Sequence, residues 1–300
     1  MKKLLLPALL IMFLTASSQQ TLQERLGYSK STRLLIIHAD DLGVAHSQNS
    51  ASFNALEKGS ASSASIMVPC AWFSEVAAYA TSHPGADLGI HLTLTAEWNF
   101  YKWSPIADKQ NVPGLVNKNG FCFSSVDSVV KSSNAMEVEK ELRAQIEKAK
   151  QAGIDITHFD SHMGTLYSNK EYLQVLLKLG KEYKVPVMLS QQRMMIAADD
   201  NNILLNNIYV ESPADYAKGP EAYYTNVLKS LQPGVRLIIL HAAYDDSEMN
   251  AITAGHPDYG AAWRQADYNF FTSETCKNLL QQNGIQLIAW KEIRDKIIRK

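Results

Sequence analysis

Apolar residues fall in short blocks along the 300-residue chain. Leu34–Ile37, Ser65–Val68, Leu88–Leu92, Ile154–Phe159, Val187–Leu189, Leu237–Leu240 and Ile285–Ala289 read as strands buried on both faces, and Ile208–Val210 is a weaker eighth. Between most of them, apolar positions recur at helical spacing. In "NAMEVEKELRAQIEKAKQAG", Asn134 and Glu137 form a capping-box pattern, and Gly153 can end the helix. Val138, Leu142, Ile146 and Ala149 line its apolar face. "NKEYLQVLLKLG" before Val185 and "SETCKNLLQQNG" before Ile285 repeat the helix–glycine–strand order. Alternating strands and helices predict an α/β fold with a parallel sheet and right-handed crossovers. Seven or eight strands in this length favour an irregular (β/α) barrel, similar to a TIM barrel, over an open sheet. The span Thr95–Ser133, with Pro105, Pro113 and the turn "NKNG", lacks periodicity and reads as a long loop beside the barrel mouth. No linker interrupts the pattern, so one catalytic domain is expected over residues 30–298.

Composition narrows the partners. Hydrophobic residues make up 46% and charged ones 20%, and the formal net charge is -1 with no basic run. Nucleic acid and anionic membrane surfaces are therefore poor candidates. The opening "MKKLLLPALLIMFLTASSQQ" differs from the rest: two lysines, an apolar run to about Leu14, then small residues. The run is shorter than the roughly 20 residues a membrane-spanning helix needs. It predicts a cleaved signal peptide over residues 1–18 and an exported protein, periplasmic or extracellular, without membrane attachment after cleavage. Cys70, Cys122 and Cys276 match neither a zinc motif nor a redox pair and read as small buried hydrophobes. The sequence is compatible with a homo-oligomer.

Polar residues collect at strand ends. Asp40 and Asp41 follow the first strand, His91 ends the "LGI" strand, and "THFDSH" places His158, Asp160 and His162 at the end of another. "RLIILHAAYDD" adds His241. In a β/α barrel these carboxyl ends gather on one face, where catalytic side chains reside. Any one histidine there is more often structural than a ligand, and one aspartate can cap a helix. Both acids converging with several histidines is a different matter. Neighbouring residues at a strand end point in opposite directions, so the two aspartates are expected to take different tasks. Two histidines and one carboxylate suit a catalytic divalent cation with open positions. Such an ion lowers the pKa of bound water, polarises a carbonyl, and offsets the repulsion between paired acids.

The ordered set of motifs resembles the YdjC-like family of carbohydrate deacetylases, which includes diacetylchitooligosaccharide deacetylases. "LLIIHADDLG" is similar to the family's first strand, "LGIHLTLT" to its histidine strand, and "VPGLVNKNGFC" to its Pro-x-Leu loop. "EVEKELRAQIEKAKQAGIDITHFDSH" resembles the helix before the His-x-Asp-Ser-His motif, and "WRQADYNFFTSETCKNLLQQNGIQLIAW" the C-terminal helix and last strand. The resemblance implies a barrel-like deacetylase fold that removes an acetyl group from an N-acetylated sugar or oligosaccharide. It implies that Asp41, His91 and His162 hold a divalent metal, Mg²⁺ by family habit, although histidine ligation also suits Zn²⁺. Asp40 would be the general base and His241 the acid. Arg264 would orient or neutralise Asp40, and Asp160 would back a ligand histidine. The chain departs from many members by reading "HMGTLY" where further histidines follow Asp-Ser-His, and by its leader.

Two rival readings remain at this level, a glycoside hydrolase and an exported carbohydrate-binding protein without activity. A glycosidase needs carboxylates about 5–9.5 Å apart across a sugar, which neighbouring aspartates do not supply. Trp98, Tyr101, Trp103 and Tyr167 fit either sugar stacking or loop packing, with packing favoured.

Overall fold

The computed structural model describes residues 20–191 and 203–300; the leader expected at residues 1–18 lies outside them. Seven strands build one all-parallel sheet: β1 (Arg33–Leu42), β2 (Ser63–Ile66), β3 (Leu88–Leu92), β4 (Ile156–Ser161), β5 (Asn207–Val210), β6 (Gly234–Leu240) and β7 (Ile285–Leu287). The spatial order is β4-β3-β2-β1-β6-β5, with β7 on β1. Along one edge of β1, β7 pairs its first third, Arg33 to Leu35, and β2 pairs its end from His38 onward.

The continuous ladder stops at β4 and β5. Residues Val187 to Ser190 span that gap, bridging Phe159 on one side and Leu205 on the other. The expected strand Val187–Leu189 is thus reduced to two isolated bridges. Its lead-in is Pro186, which has no N–H to give a ladder. Ile208–Val210, the weaker expectation, is a true strand paired with β6 over four residues. The sheet curls into an irregular barrel.

Alternation along the strands separates two layers. Leu35, Ile37, Ala39, Ile90, Phe159, Ile238 and Leu240 face outward into one core with the helices, including α1 (His46–Glu57), α2 (Ala135–Gln151), α3 (Lys170–Tyr183) and α4 (Ala261–Thr272). Leu34, Ile36, Val235 and Leu237 face inward and fill the amino-terminal end of the barrel with Trp290. Higher up, the inward positions of β1 to β4 turn polar: His38, Asp40, Ser63, Ser65, His91, His158 and Asp160, all buried. Gly89 sits between them because a Cβ there would come within 2.3–2.5 Å of the His158 ring. The inward positions Ile208, Val210 and Ile239 of β5 and β6 stay apolar. One half of the barrel is thus a polar wall and the other an oily one.

The capping box on α2 forms as expected, and Val138, Leu142, Ile146 and Ala149 are fully buried. Acids on α2 also hold the long loop: Glu137 accepts the Gly114 N–H and Glu141 those of Ile106 and Ala107. The loop gains a helical turn of its own at Val126–Ser132, begun by a Ser125 cap. Cys70, Cys122 and Cys276 are free and buried. No helix among the described residues is long and apolar enough to cross a membrane.

Candidate metal centre and active site

At the carboxyl ends of β1, β3 and β4, Asp41 Oδ1, His91 Nε2 and His162 Nδ1 converge. Asp41 Oδ1 lies 3.5 Å from each of the two ring nitrogens. The expectation that Asp40 and Asp41 diverge does not hold. Asp41 has φ +70°, a left-handed conformation that aspartate tolerates better than most residues. That turn swings its side chain back to the face Asp40 already occupies, and Asp40 Oδ2 lies 3.9 Å from His91 Nε2.

The outer nitrogen of each imidazole is committed. His91 Nδ1 donates to Asp160 Oδ1 at 2.7 Å, and His162 Nε2 to Glu97 Oε2 at 2.9 Å. Both rings are therefore fixed with their other nitrogen toward Asp41. Asp160 makes the histidine contact expected of it. Burial favours its neutral form, but His91 and His38 hold its pKa below the ordinary range. Glu97 is not evident from sequence; it lies in the aperiodic loop. Burial alone would lower His162, yet Glu97 and Asp41 outweigh it and push the imidazole up to about 10.

Arg264 meets Asp41 and not Asp40, correcting the expectation. Its Nη2 donates to Asp41 Oδ2 at 2.8 Å and its Nη1 to Gln48 Oε1 at 2.8 Å, while Nε donates to the Tyr259 carbonyl. Burial raises the Asp41 pKa, but this guanidinium leads the groups that bring it well below the ordinary range. Asp40 leans instead on His38, whose Nε2 lies 2.9 Å from Asp40 Oδ1 and 3.0 Å from Asp160 Oδ2. His38 is a second group that sequence reasoning missed. It hides inside an apolar run, although its place two residues before Asp40 puts it on the same face. His158 takes no part in the centre. It lies deeper, stacked on Trp290 at 5.3 Å, and burial brings its pKa well below 6.5.

His241 follows β6, and its backbone N–H donates to Asp267. Its Nε2 lies 4.0 Å from Asp40 Oδ2, and burial pushes its pKa down to about 4. Asp40, Asp41, His91, His162 and His241 all line one cavity of about 760 Å³, with Met188, Ile208, Val210 and Ile239 on the oily side. That volume is in the range of small-molecule sites, about 300–1,000 Å³. Trp98 and Trp103 are 2% and 5% exposed and pack edge to face, and Trp98 also lines the cavity. Tyr101 donates to the Val44 carbonyl, and Tyr167 both lines the cavity and donates to the Met188 carbonyl.

Three sets among the described residues have donor atoms within 4.8 Å of one another: His38/His158/Asp160, Asp40/His91/Asp160 and Asp41/His91/His162. In the first two, Asp160 already accepts from His38 and His91. The third contains Asp41 Oδ1, a buried acceptor with no hydrogen-bond partner. Leaving such an atom bare costs about 1–3 kcal/mol, more for a charged group. An oxygen and two imidazole nitrogens facing one point are the donor set of a divalent cation.

The family model for YdjC-like proteins matches residues 34–282. A carbohydrate deacetylase of Thermus thermophilus is 29% identical over 287 residues, 92% of this chain and 99% of that one. Another from Enterococcus faecalis is 32% identical over 271 residues, 88% of this chain and 99% of its own. A solved structure from Enterococcus faecalis V583 superposes with a TM-score of 0.75 at 24% identity, over 88% and 99% of the two chains, and shares the fold. From the first strand to the last long helix, this chain belongs to the YdjC-like family.

Proposed function

We propose that the protein is a metal-dependent hydrolase that removes the acetyl group from an N-acetylated sugar or oligosaccharide. The observation that carries this reading is the unpartnered, buried Asp41 Oδ1 between two imidazole nitrogens oriented by carboxylates. The names of the relatives, carbohydrate deacetylases, support the substrate class. Asp41, His91 and His162 would hold the cation. The donor set suits Zn²⁺ better than Mg²⁺, since imidazole is the softer ligand. When bound, the ion supplies Lewis-acid polarisation of the acetamide carbonyl and a more acidic water.

The chain's own groups do the rest. Asp40, held through Oδ1, presents Oδ2 to the cavity and accepts the water's proton as the carbon–oxygen bond forms. His241 Nε2 stands 4.0 Å from that oxygen and passes a proton to the leaving nitrogen as the carbon–nitrogen bond breaks. Because burial keeps His241 neutral at pH 7, it acts as a relay and not as a standing acid. Arg264 and Gln48 fix Asp41 and the backbone of Asp40 from behind. The leader-like residues 1–18 add a second part to the proposal: the enzyme is exported and meets its glycan outside the cytoplasm.

The test is acetate release from a panel of N-acetylated mono- and oligosaccharides, using chelator-stripped protein reloaded with Zn²⁺ or Mg²⁺. Acetate should appear only with the ion. New reducing ends without acetate would establish a glycosidase instead, and no turnover on any member would refute the deacetylase reading.

A further inference from the structure

We propose that His38 is a positioning residue held as a buried imidazolium, and that its charge and its Nε2–H fix both Asp40 and the support of His91. The inference rests on the proposed role of Asp40 and extends it to a residue behind the site.

His38 is fully buried in β1 and does not line the cavity. On its Nδ1 side stands Ser63 Oγ, at 3.0 Å. Ser63 has one proton, and it goes to Asp87 Oδ1 at 2.6 Å. The same carboxylate also takes the Thr157 hydroxyl and the Lys291 N–H, so its oxygens act as acceptors. Toward His38, therefore, Ser63 can only accept, and Nδ1 must carry hydrogen. On the Nε2 side stand Asp40 Oδ1 at 2.9 Å, Asp160 Oδ2 at 3.0 Å and Ser65 Oγ at 3.1 Å. Ser65 gives its proton to Asp40 Oδ1. A bare nitrogen lone pair facing two carboxylate oxygens would be repelled by both, so Nε2 carries hydrogen as well. Neither neutral tautomer satisfies the two sides at once.

The consequence is directional. Asp40 Oδ1 receives a hydrogen bond from Ser65 and sits in ion contact with His38 Nε2 at 2.9 Å, which locks the carboxylate and leaves Oδ2 as the oxygen facing His91 and His241. Asp160 takes the His38 Nε2–H on Oδ2 and the His91 Nδ1–H on Oδ1. One buried cation thus sets the orientation of the base and, through Asp160, the orientation of a ligand imidazole.

Side-chain nitrogen NMR of ¹⁵N-histidine protein, metal-free and Zn²⁺-loaded, reads the charge directly. His38, assigned by its loss in His38→Gln, should show two protonated nitrogens at neutral pH in both forms; one unprotonated nitrogen overturns the imidazolium. Kinetics read the positioning. His38→Gln keeps one neutral donor near the Nε2 position and should lower kcat about 10–100-fold, as loss of a supporting partner does. Its KM should stay within about twofold, because His38 touches no substrate. His38→Ala should lose more, and where it fails to fold His38→Gln alone decides. An unchanged kcat in folded His38→Gln, or a rise in KM without a fall in kcat, overturns the positioning role. If wild-type protein releases no acetate from any sugar, the deacetylase reading fails, whereas the nitrogen spectrum still decides the charge of His38.

Discussion

Arg264→Met removes one half of a buried ion pair and leaves the other half in place. Arg264 and Asp41 are each 2% exposed, and their 2.8 Å contact is Asp41's direct guanidinium partner. Methionine keeps much of the stem that packs near Trp98, where the guanidinium lies 5.4 Å from the ring, so the change isolates charge from packing. Stripping one partner from a buried pair costs about 3–5 kcal/mol. The Gln48 oxygen loses its donor too, adding about 1 kcal/mol. For a large domain each kcal/mol lowers Tm by about 2 °C, so the metal-free variant should melt roughly 8–12 °C below wild type.

The ion should change this difference. Asp41 Oδ1 faces the imidazoles and Oδ2 faces Arg264, so a divalent ion bound there and the guanidinium would act on one carboxylate. With the guanidinium gone, His162 is left as the nearest charge to Asp41, and a divalent ion would supply the compensation that it leaves short. The rise in Tm on adding Zn²⁺ should therefore be larger for Arg264→Met than for wild type. Scanning calorimetry of both proteins, in chelator and at saturating ion, checks it. Metal-free curves within about 1 kcal/mol of each other would refute the pair's energetic role, given the cost expected for an orphaned buried charge. An ion-induced shift no larger than wild type's would refute the placement of the cation at Asp41.

The remaining tests separate ligands, base and ring protons. His162→Ala should lose ion binding, measured by calorimetric titration, together with turnover. Asp40→Asn should bind the ion normally yet lose about 10²–10⁴-fold in kcat, and full rate would end its assignment as base. In metal-free protein His38 and His162 are pushed up from 6.5 to about 9 and about 10 by their carboxylates, against the effect of burial. A raised folded pKa stabilises fully below 6.5 and is lost as pH climbs through the folded value, so Tm in chelator should fall between pH 7 and 10. A flat or rising melting profile over that window would contradict both ion pairs.

Much of this centre was legible in the sequence because a parallel barrel sends every strand end to one rim. Asp41, His91 and His162 are scattered along the chain, yet each follows an apolar block, which places them on one rim together with His158 and Asp160; only the family resemblance singles out the three. What stayed hidden has physical causes. The direction of Asp41 depends on one left-handed φ, and strand alternation predicts the opposite. Glu97 lies 65 residues from His162 in a loop without periodicity, so only tertiary packing makes the pair. Val187–Leu189 and Ile208–Val210 are similar apolar runs, and their fates were decided by backbone partners and not by composition: β6 offers a full ladder, whereas β4 and Leu205 offer single bridges.

His38 is the instructive miss. In "LLIIHADD" an imidazole among aliphatic residues looks like an accident of a greasy strand. Counting back by two from Asp40 instead gives His38, Ile36 and Leu34 on a single face, oily at the bottom of the barrel and charged near the top. A fully buried histidine needs partners for both nitrogens, and the neighbouring strands supply them as Ser63 and Ser65 on β2 and Asp160 on β4. The adjacent acids at the end of β1 are therefore stabilised from two sides: Asp41 by Arg264, and Asp40 by a cation from its own strand. A divalent ion bound at Asp41 Oδ1 would meet a centre whose carboxylates are already oriented, so it would have to supply charge but not to organise the site.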